Sequence, residues 1–347
     1  MTIAELSIAS PSERSAYFRT AAADLKLQPT VIEKDFWVCW LLAVIFELPD
    51  ASSFTFKGGT SLAKVFNAID RFSEDIDISI DRALLGYPNN DYFLKGSGNE
   101  RKRRVRELRA AVQTYVADTM LPQIGSHAHK SGIDGDATFE LDLEDANRIV
   151  FTYPSSGIGG TTYINDRVLI DCGSGDTLPR HTRALSPYVA QILRTGIVGQ
   201  IEVPILDPER SFWEKATILH DLAHRPESKI SVRYSRHYYD VATMIKGTIG
   251  SAAELRPDIL SDVVEFKKIF FSRPAAQYDL ARSGALRLRY DPLHAEELEL
   301  DYAAMRTEMI FRDAPSLQEI GETLGAFEDR FNQGHTAGVG VPTGGAR

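Results

Sequence analysis

Residues 56–80, FKGGTSLAKVFNAIDRFSEDIDISI, constrain the fold of this chain more tightly than any other stretch. A short strand, Phe54 to Lys57, runs into Gly58-Gly59, and glycine permits backbone conformations and close approaches that a Cβ forbids. Leu62, Val65, Phe66 and Ile69 then recur at i, i+3, i+4 and i+7, the spacing of one helix face. Asp75 to Ile80 alternates strictly between polar and apolar, the period of a strand. Asp75 and Asp77 therefore share one strand face, with carboxylates about 6 to 7 Å apart.

Two like charges so placed repel one another, and divalent cations between them reverse the sign of that interaction, as in the two-ion sites of phosphoryl transfer. The Gly-Gly turn supplies the complementary half. Its backbone can approach a ligand closely, and Thr60-Ser61 open a helix whose N–H groups favour phosphate. An Asp-x-Asp by itself is more often a strand edge, and a Gly-Gly pair more often an ordinary turn. The two in this order form a much more specific signal.

The rest of the chain is read around that unit. With 347 residues and 43% hydrophobic composition it can bury a full core. Residues 31–48, VIEKDFWVCWLLAVIFEL, read as a mostly buried helix ended by Pro49. The longest apolar run is well short of the roughly 18 residues a membrane span needs, and no secretory leader is evident, so the expectation is a cytoplasmic protein without membrane contact. Cys39 and Cys172 fall in no zinc-binding pattern and read as buried apolar residues. The net charge of −9 excludes a generally basic nucleic-acid coat. One local exception is the helix carrying ERKRRVRELR, where Arg101, Lys102, Arg103, Arg104 and Arg106 are candidate RNA contacts, although a run this dense cannot occupy a single helix face. Further strands are expected over 147–153, 163–172 and 201–206. Asp207-Pro208 then starts a helical region that continues almost to Phe331, and the Gly-rich tail from Asn332 reads as disordered. The outline is α+β: a mixed N-terminal half over residues 1–206, a helical domain over 207–331 and a tail over 332–347.

KGGTSLAKVF, RFSEDIDISI, ERSFWEKATILHDLAHR and SRHYYDVATMI together resemble the nucleotidyltransferase toxins of the AbiEii/AbiGii family, in the DNA polymerase β-like superfamily. The resemblance covers about residues 30 to 250. It implies a polymerase β-like core with a mixed sheet followed by a helical domain. It also implies transfer of a nucleoside monophosphate from an NTP to a hydroxyl, dependent on Mg²⁺ or Mn²⁺. In mycobacterial members the acceptor is the 3′ end of tRNA, which blocks translation, and a co-encoded antitoxin opposes the toxin without needing to bind it.

Within that resemblance, Asp75, Asp77 and a third carboxylate hold the metal. Asp171, at the end of RVLID, is the expected third, with Glu202 and Asp142 as fallbacks. Lys57, Gly58, Gly59, Thr60 and Ser61 are the expected nucleotide contacts, together with Arg236. Lys215 lies on the flank of a helix whose buried stripe is Phe212, Ala216, Leu219 and Ala223, and is expected to reach a phosphate. Asp240 is the expected acidic partner, either catalytic or positioning Lys215 or Arg236. Many relatives carry a Lys/Arg-Asp pair where Arg236-His237 stands, so His237 reads better as a core histidine than as a base. Arg71 and Ser73 flank the motif, Arg71 as a partner for Glu74 or Asp75. The alternatives are the same chemistry on a protein or small-molecule hydroxyl, which would leave the basic helix without a task, and a non-catalytic NTP-binding module.

Overall fold

In the computed structural model, the residues described are 2–88, 90–133, 137–159, 166–174, 181–192, 200–310 and 313–338. The chain divides into two compact units. The first comprises 1–67 and 72–206; the second comprises 207–347 together with the short segment Ala68–Arg71.

The first unit is built on a seven-stranded mixed sheet of order β3-β4-β5-β2-β1-β7-β6. Its strands are β1 (Phe54–Lys57), β2 (Ile76–Ile80), β3 (Thr138–Leu141), β4 (Arg148–Thr152), β5 (Arg167–Ser174), β6 (His181–Leu185) and β7 (Ile201–Ile205). The centre mixes directions: β1 is antiparallel to β2, β2 is parallel to β5, and β1 is parallel to β7. Strand period 2 explains which residues face inward. Phe54, Phe56, Ile76, Ile78, Ile80, Ile149, Phe151, Val168 and Ile170 are all buried in one core. The Pro29–Phe46 helix packs into that core, with Trp37 edge-on to Trp40 and Phe151 and stacked on Tyr153. The intervening positions, Lys57, Asp77, Asp171 and Arg148, alternate out of the core.

Three expectations are revised. The helix after the glycines is short, Gly58–Lys64. Asn67 takes the left-handed conformation, with φ of 48°, and Ile69 falls in the segment that belongs to the second unit, so its apolar character has a different origin from that of Leu62. The aspartate strand begins at Ile76, leaving Asp75 at its entrance. Strands β3 and β6 were not expected; both lie at sheet edges and lack a continuous apolar face, β6 being exposed except at Leu185. The first residues of the strand expected from Tyr163 lie outside the described residues. Among the described residues, no helix is long and apolar enough to cross a membrane. Cys39 and Cys172 are free and buried.

The second unit is helical. Its Pro208–Ala223 helix buries Phe212, Trp213, Ala216, Leu219 and Ala223, and Trp213 donates its indole N–H to the Ala253 carbonyl at 3.1 Å. The start of the Ser235–Lys246 helix is fixed by Asp301, which accepts from the backbone N–H groups of Arg233 at 2.6 Å and Ser235 at 2.8 Å. The last described helix, Leu317–Gly338, continues through the first residues of the Gly-rich tail.

Candidate active site

The candidate residues fall into two groups, one in each unit. In the first, sheet register assembles a transverse row of charge. Lys57 on β1 is the partner of Asp77 on β2, Asp77 is the partner of Asp171 on β5, and Asp171 is the partner of Arg148 on β4. Adjacent strands lie about 4.8 Å apart, and register partners point to the same face. The row therefore reads plus, minus, minus, plus across four strands.

The glycine turn is shaped around this row. Gly58 has φ of +80°, and a Cβ built on it would lie 1.8 Å from Asp77 Oδ2. Only glycine lets the turn approach the carboxylate this closely. Thr60 and Ser61 are fully buried, and their hydroxyls serve the protein itself. Thr60 donates to the Asp75 carbonyl and lies 3.0 Å from Ser73 Oγ, while Ser61 donates to the Gly58 carbonyl at 2.9 Å. These side chains pin the turn to the entrance of β2; any ligand contact from Thr60 and Ser61 has to come from the backbone.

Two residues that hold this motif, and a charged neighbour beside them, were not singled out from sequence. Glu33, Lys34 and Asp35, consecutive in the apolar Pro29–Phe46 helix, are 3%, 2% and 1% exposed. Buried charges persist when each is paired. Glu33 accepts from the Ser156 N–H at 2.6 Å, Lys34 bonds Glu74 at 2.6 Å and Asp35 bonds Lys64 at 2.6 Å. Glu74 immediately precedes Asp75, and Lys64 ends the helix opened by the glycines. One helix thus clamps both flanks of the motif. The signal was present in VIEKDFW, where a charged triplet interrupts an otherwise apolar run.

The oxygen donors of Asp75, Asp77 and Asp171 have the hardness a divalent ion requires. Among the described residues, however, no three His, Cys, Asp or Glu side chains are gathered to hold a metal ion. Register sets Asp77 and Asp171 side by side, and Asp171 already has a cationic partner. Asp171 Oδ1 is engaged by Arg148 Nε at 3.2 Å. The fallback Asp142 joins the same guanidinium, its Oδ2 3.1 Å from Arg148 Nη1. Glu202 lies exposed on β7, with β1 between that strand and β2.

In the second unit Asp240 is fully buried between two cations. Arg71 grips it bidentately, Nε to Oδ1 at 2.7 Å and Nη2 to Oδ2 at 2.8 Å, and Lys215 Nζ lies 2.9 Å from Oδ2. Burial alone would raise the Asp240 pKa, but Arg71 and Lys215 outweigh it and hold the carboxyl well below the usual carboxylate range. Asp240 is thus ion-paired with both Lys215 and Arg71. Glu74, one of the two partners expected for Arg71, the other being Asp75, accepts from Lys34. His237 packs edge-on against Tyr234 with ring centroids 5.2 Å apart, and its buried Nδ1 has no hydrogen-bond partner. Burial, followed by the positive charges of Lys215 and Arg236, pushes its pKa well below that of a free histidine, so the imidazole is neutral. Arg236 is partly buried one residue before it.

On the Gly98–Tyr115 helix the basic run divides by role. Arg104 bonds the carbonyls of Tyr92 at 2.5 Å and Lys95 at 2.7 Å and lies over the Tyr92 ring, so it is a structural clamp. Arg103 pairs with Glu107 at 2.9 Å. Arg101, Lys102 and Arg106 are exposed, and Lys102 and Arg106 stand one turn apart on the same face.

Comparison with known proteins agrees with this architecture. A search of curated proteins finds no match to the chain. Among solved structures, MenT4, a nucleotidyltransferase toxin from Mycobacterium tuberculosis H37Rv, superposes with a TM-score of 0.51 at 15% identity, covering 94% of this chain and 90% of that one. At that identity the likeness speaks for a shared fold. The family model described as nucleotidyl transferase AbiEii toxin, type IV toxin–antitoxin system, matches residues 40–330, a span that includes the glycine turn, Asp75, Asp77, Arg148, Asp171, Lys215 and Asp240, and the chain belongs to that family of nucleotidyltransferases.

Proposed function

We propose that this protein transfers a nucleoside monophosphate from an NTP to the 3′ end of tRNA in the cytoplasm, blocking translation until a co-encoded antitoxin opposes it. The observation that carries this reading is the juxtaposition of the Gly58-Gly59 turn with the in-register pair Asp77 and Asp171. A close backbone turn beside paired carboxylates suits a polyphosphate and its counter-ions. Backbone N–H groups of Gly58, Gly59, Thr60 and Ser61 would donate to phosphate oxygens, with Lys57 adding charge. Asp75 and Asp77 would hold Mg²⁺ or Mn²⁺, joined by Asp171 once it leaves Arg148. When bound, such ions stabilise the attacking and leaving oxygens of an in-line displacement. Lys215, oriented by Asp240 and Arg71, is a compact cation suited to a phosphate.

The purified protein, incubated with total RNA and each radiolabelled NTP in turn, should label an RNA of tRNA size with at least one nucleotide. Label on protein, or no label with any NTP, would overturn the tRNA reading. Lys215→Ala should lower the transfer rate about 100-fold or more without altering the far-ultraviolet circular dichroism, since a single electrostatic contact to developing charge is worth about that much. A Lys215→Ala protein at full activity would return this residue to an ordinary surface role.

RNA binding is assigned to Lys102 and Arg106, with Arg101 beside them. Reversing Lys102 and Arg106 to Glu should weaken tRNA binding and flatten the log–log dependence of affinity on salt by about 2. Arg104→Glu should instead disturb the fold locally, because its guanidinium holds the Tyr92 and Lys95 carbonyls. Unchanged salt dependence in the double reversal would make this helix a solvated face.

A further inference from the structure

Asp171 is the third carboxylate of the proposed ion site, and a cation of the protein already occupies it. Arg148 Nε donates to Asp171 Oδ1 at 3.2 Å, and Nη1 of the same guanidinium donates to Asp142 Oδ2 at 3.1 Å. The backbone holds this arrangement together. Arg148 is the register partner of Asp171, and the Asp142 N–H donates to the Arg148 carbonyl at 2.9 Å. Asp77 and Asp171 side by side would be like charges in register, a destabilising pair. Lys57 on the outer side of Asp77 and Arg148 on the outer side of Asp171 leave the row neutral without any added ion.

The guanidinium engages Oδ1 of Asp171, so a divalent cation that takes this oxygen has to displace the arginine. Arg148 spans two carboxylates with its planar fork, and on losing one it still has the other. We propose that Arg148 is an internal counter-cation that a divalent ion displaces from Asp171, and that Asp142 is the acceptor that retains the displaced guanidinium beside β4. This inference rests on the reading of Asp77 and Asp171 as ion ligands, and it adds the residue that sets the ion concentration at which the site fills. Its sign distinguishes it from a purely orienting role. If Arg148 merely aimed Asp171, removing it would weaken ion binding; as a competitor, its removal tightens binding.

Mn²⁺ binding to the full chain, followed by loss of the free-ion electron paramagnetic resonance signal without nucleotide or RNA, separates these cases. Arg148→Gln should bind Mn²⁺ about tenfold more tightly than the wild type, the scale of one lost charge-assisted hydrogen bond. Asp142→Asn should bind it about threefold or more weakly, because the guanidinium then concentrates on Asp171. Both shifts should persist in about 0.3 M KCl, where long-range charge effects are screened. Equal or weaker binding by Arg148→Gln overturns the proposal while leaving the ion site standing, provided Asp77→Asn lowers Mn²⁺ affinity. Equally tight binding by Arg148→Gln with Asp77→Asn added places the ion elsewhere and overturns it too. Absence of Mn²⁺ binding in wild type and Arg148→Gln alike overturns both this proposal and the ion reading beneath it.

Discussion

Asp240→Ala is expected to lower the free energy of unfolding by on the order of 3–5 kcal/mol, and to abolish nucleotidyl transfer under conditions where the remaining protein is folded. The stability loss is large because the substitution takes from Arg71 and Lys215 the buried carboxylate they share. Arg71 is 5% exposed and bonds Asp240 bidentately, and Lys215 bonds the same carboxylate at 2.9 Å. Removing one member of a buried ion network costs far more than the network contributes net, which is the origin of the 3–5 kcal/mol scale. Replacing all three residues by apolar ones, Arg71→Met, Lys215→Met and Asp240→Leu, should therefore recover much of the stability without recovering activity. Urea denaturation of wild type, Asp240→Ala and the triple variant measures the first effect and labelled-NTP transfer the second. A loss below about 1 kcal/mol in Asp240→Ala would show that the network is solvated and does not anchor the helix.

The same cluster gives the second unit a defined response to acid. The folded Asp240 carboxyl titrates below its unfolded value, so the native state holds fewer protons. Its contribution is complete above about pH 5 and is lost as pH falls below about 4. The folded His237 also titrates below its unfolded value of about 6.5, so its loss begins earlier, as pH falls through 6.5. Stability should thus decline in two stages, and His237→Gln should diminish the earlier one, to which His220, its pKa also held down by burial, to about 4, contributes as well.

Much of the first unit was legible because period-2 alternation carries information in both directions. Ile76, Ile78 and Ile80 mark the buried face of β2, and Asp77 marks the other. Asp171 was readable as the polar position closing an apolar strand, but its pairing with Asp77 was not, since no local pattern sets the register of strands so distant in sequence. Arg148, and the pairing of Arg71 with Asp240, escaped for a related reason. An arginine's partner lies at the end of a long side chain, and sequence neighbours such as Glu74 are no guide when Lys34 takes Glu74 from across the fold. The helix following the glycines was drawn too long because Ile69 is buried and falls on the right period, although a left-handed Asn67 separates them. Edge strands β3 and β6 lacked an apolar face to announce them.

Gly58→Ala, a change that adds one methyl group and removes no functional atom, should inactivate the protein nearly as completely as Asp77→Ala. The added Cβ would sit 1.8 Å from Asp77 Oδ2, 2.6 Å from its Cγ and 2.9 Å from its Cβ. Because the clash reaches Asp77 Cβ, a rotation about χ1 cannot relieve all of it, and the strand or the turn must shift. The φ of +80° adds a backbone penalty of about 1–3 kcal/mol for any non-glycine residue. A displacement of about 1 Å at a group that orients the reacting phosphate costs about 100-fold in rate or more. Gly173→Ala on β5 is the matching control: a Cβ there has nothing within 4 Å, and activity and stability should stay near wild type. The cause can be isolated by a double-mutant cycle. If the methyl acts through the Asp77 carboxylate, Asp77→Gly should restore stability to the Gly58→Ala protein while lowering it, or leaving it unchanged, in the Gly58 protein. Transfer by Gly58→Ala at a rate within about threefold of wild type would mean that Asp77 can move without loss, and would remove that carboxylate from the proposed chemistry.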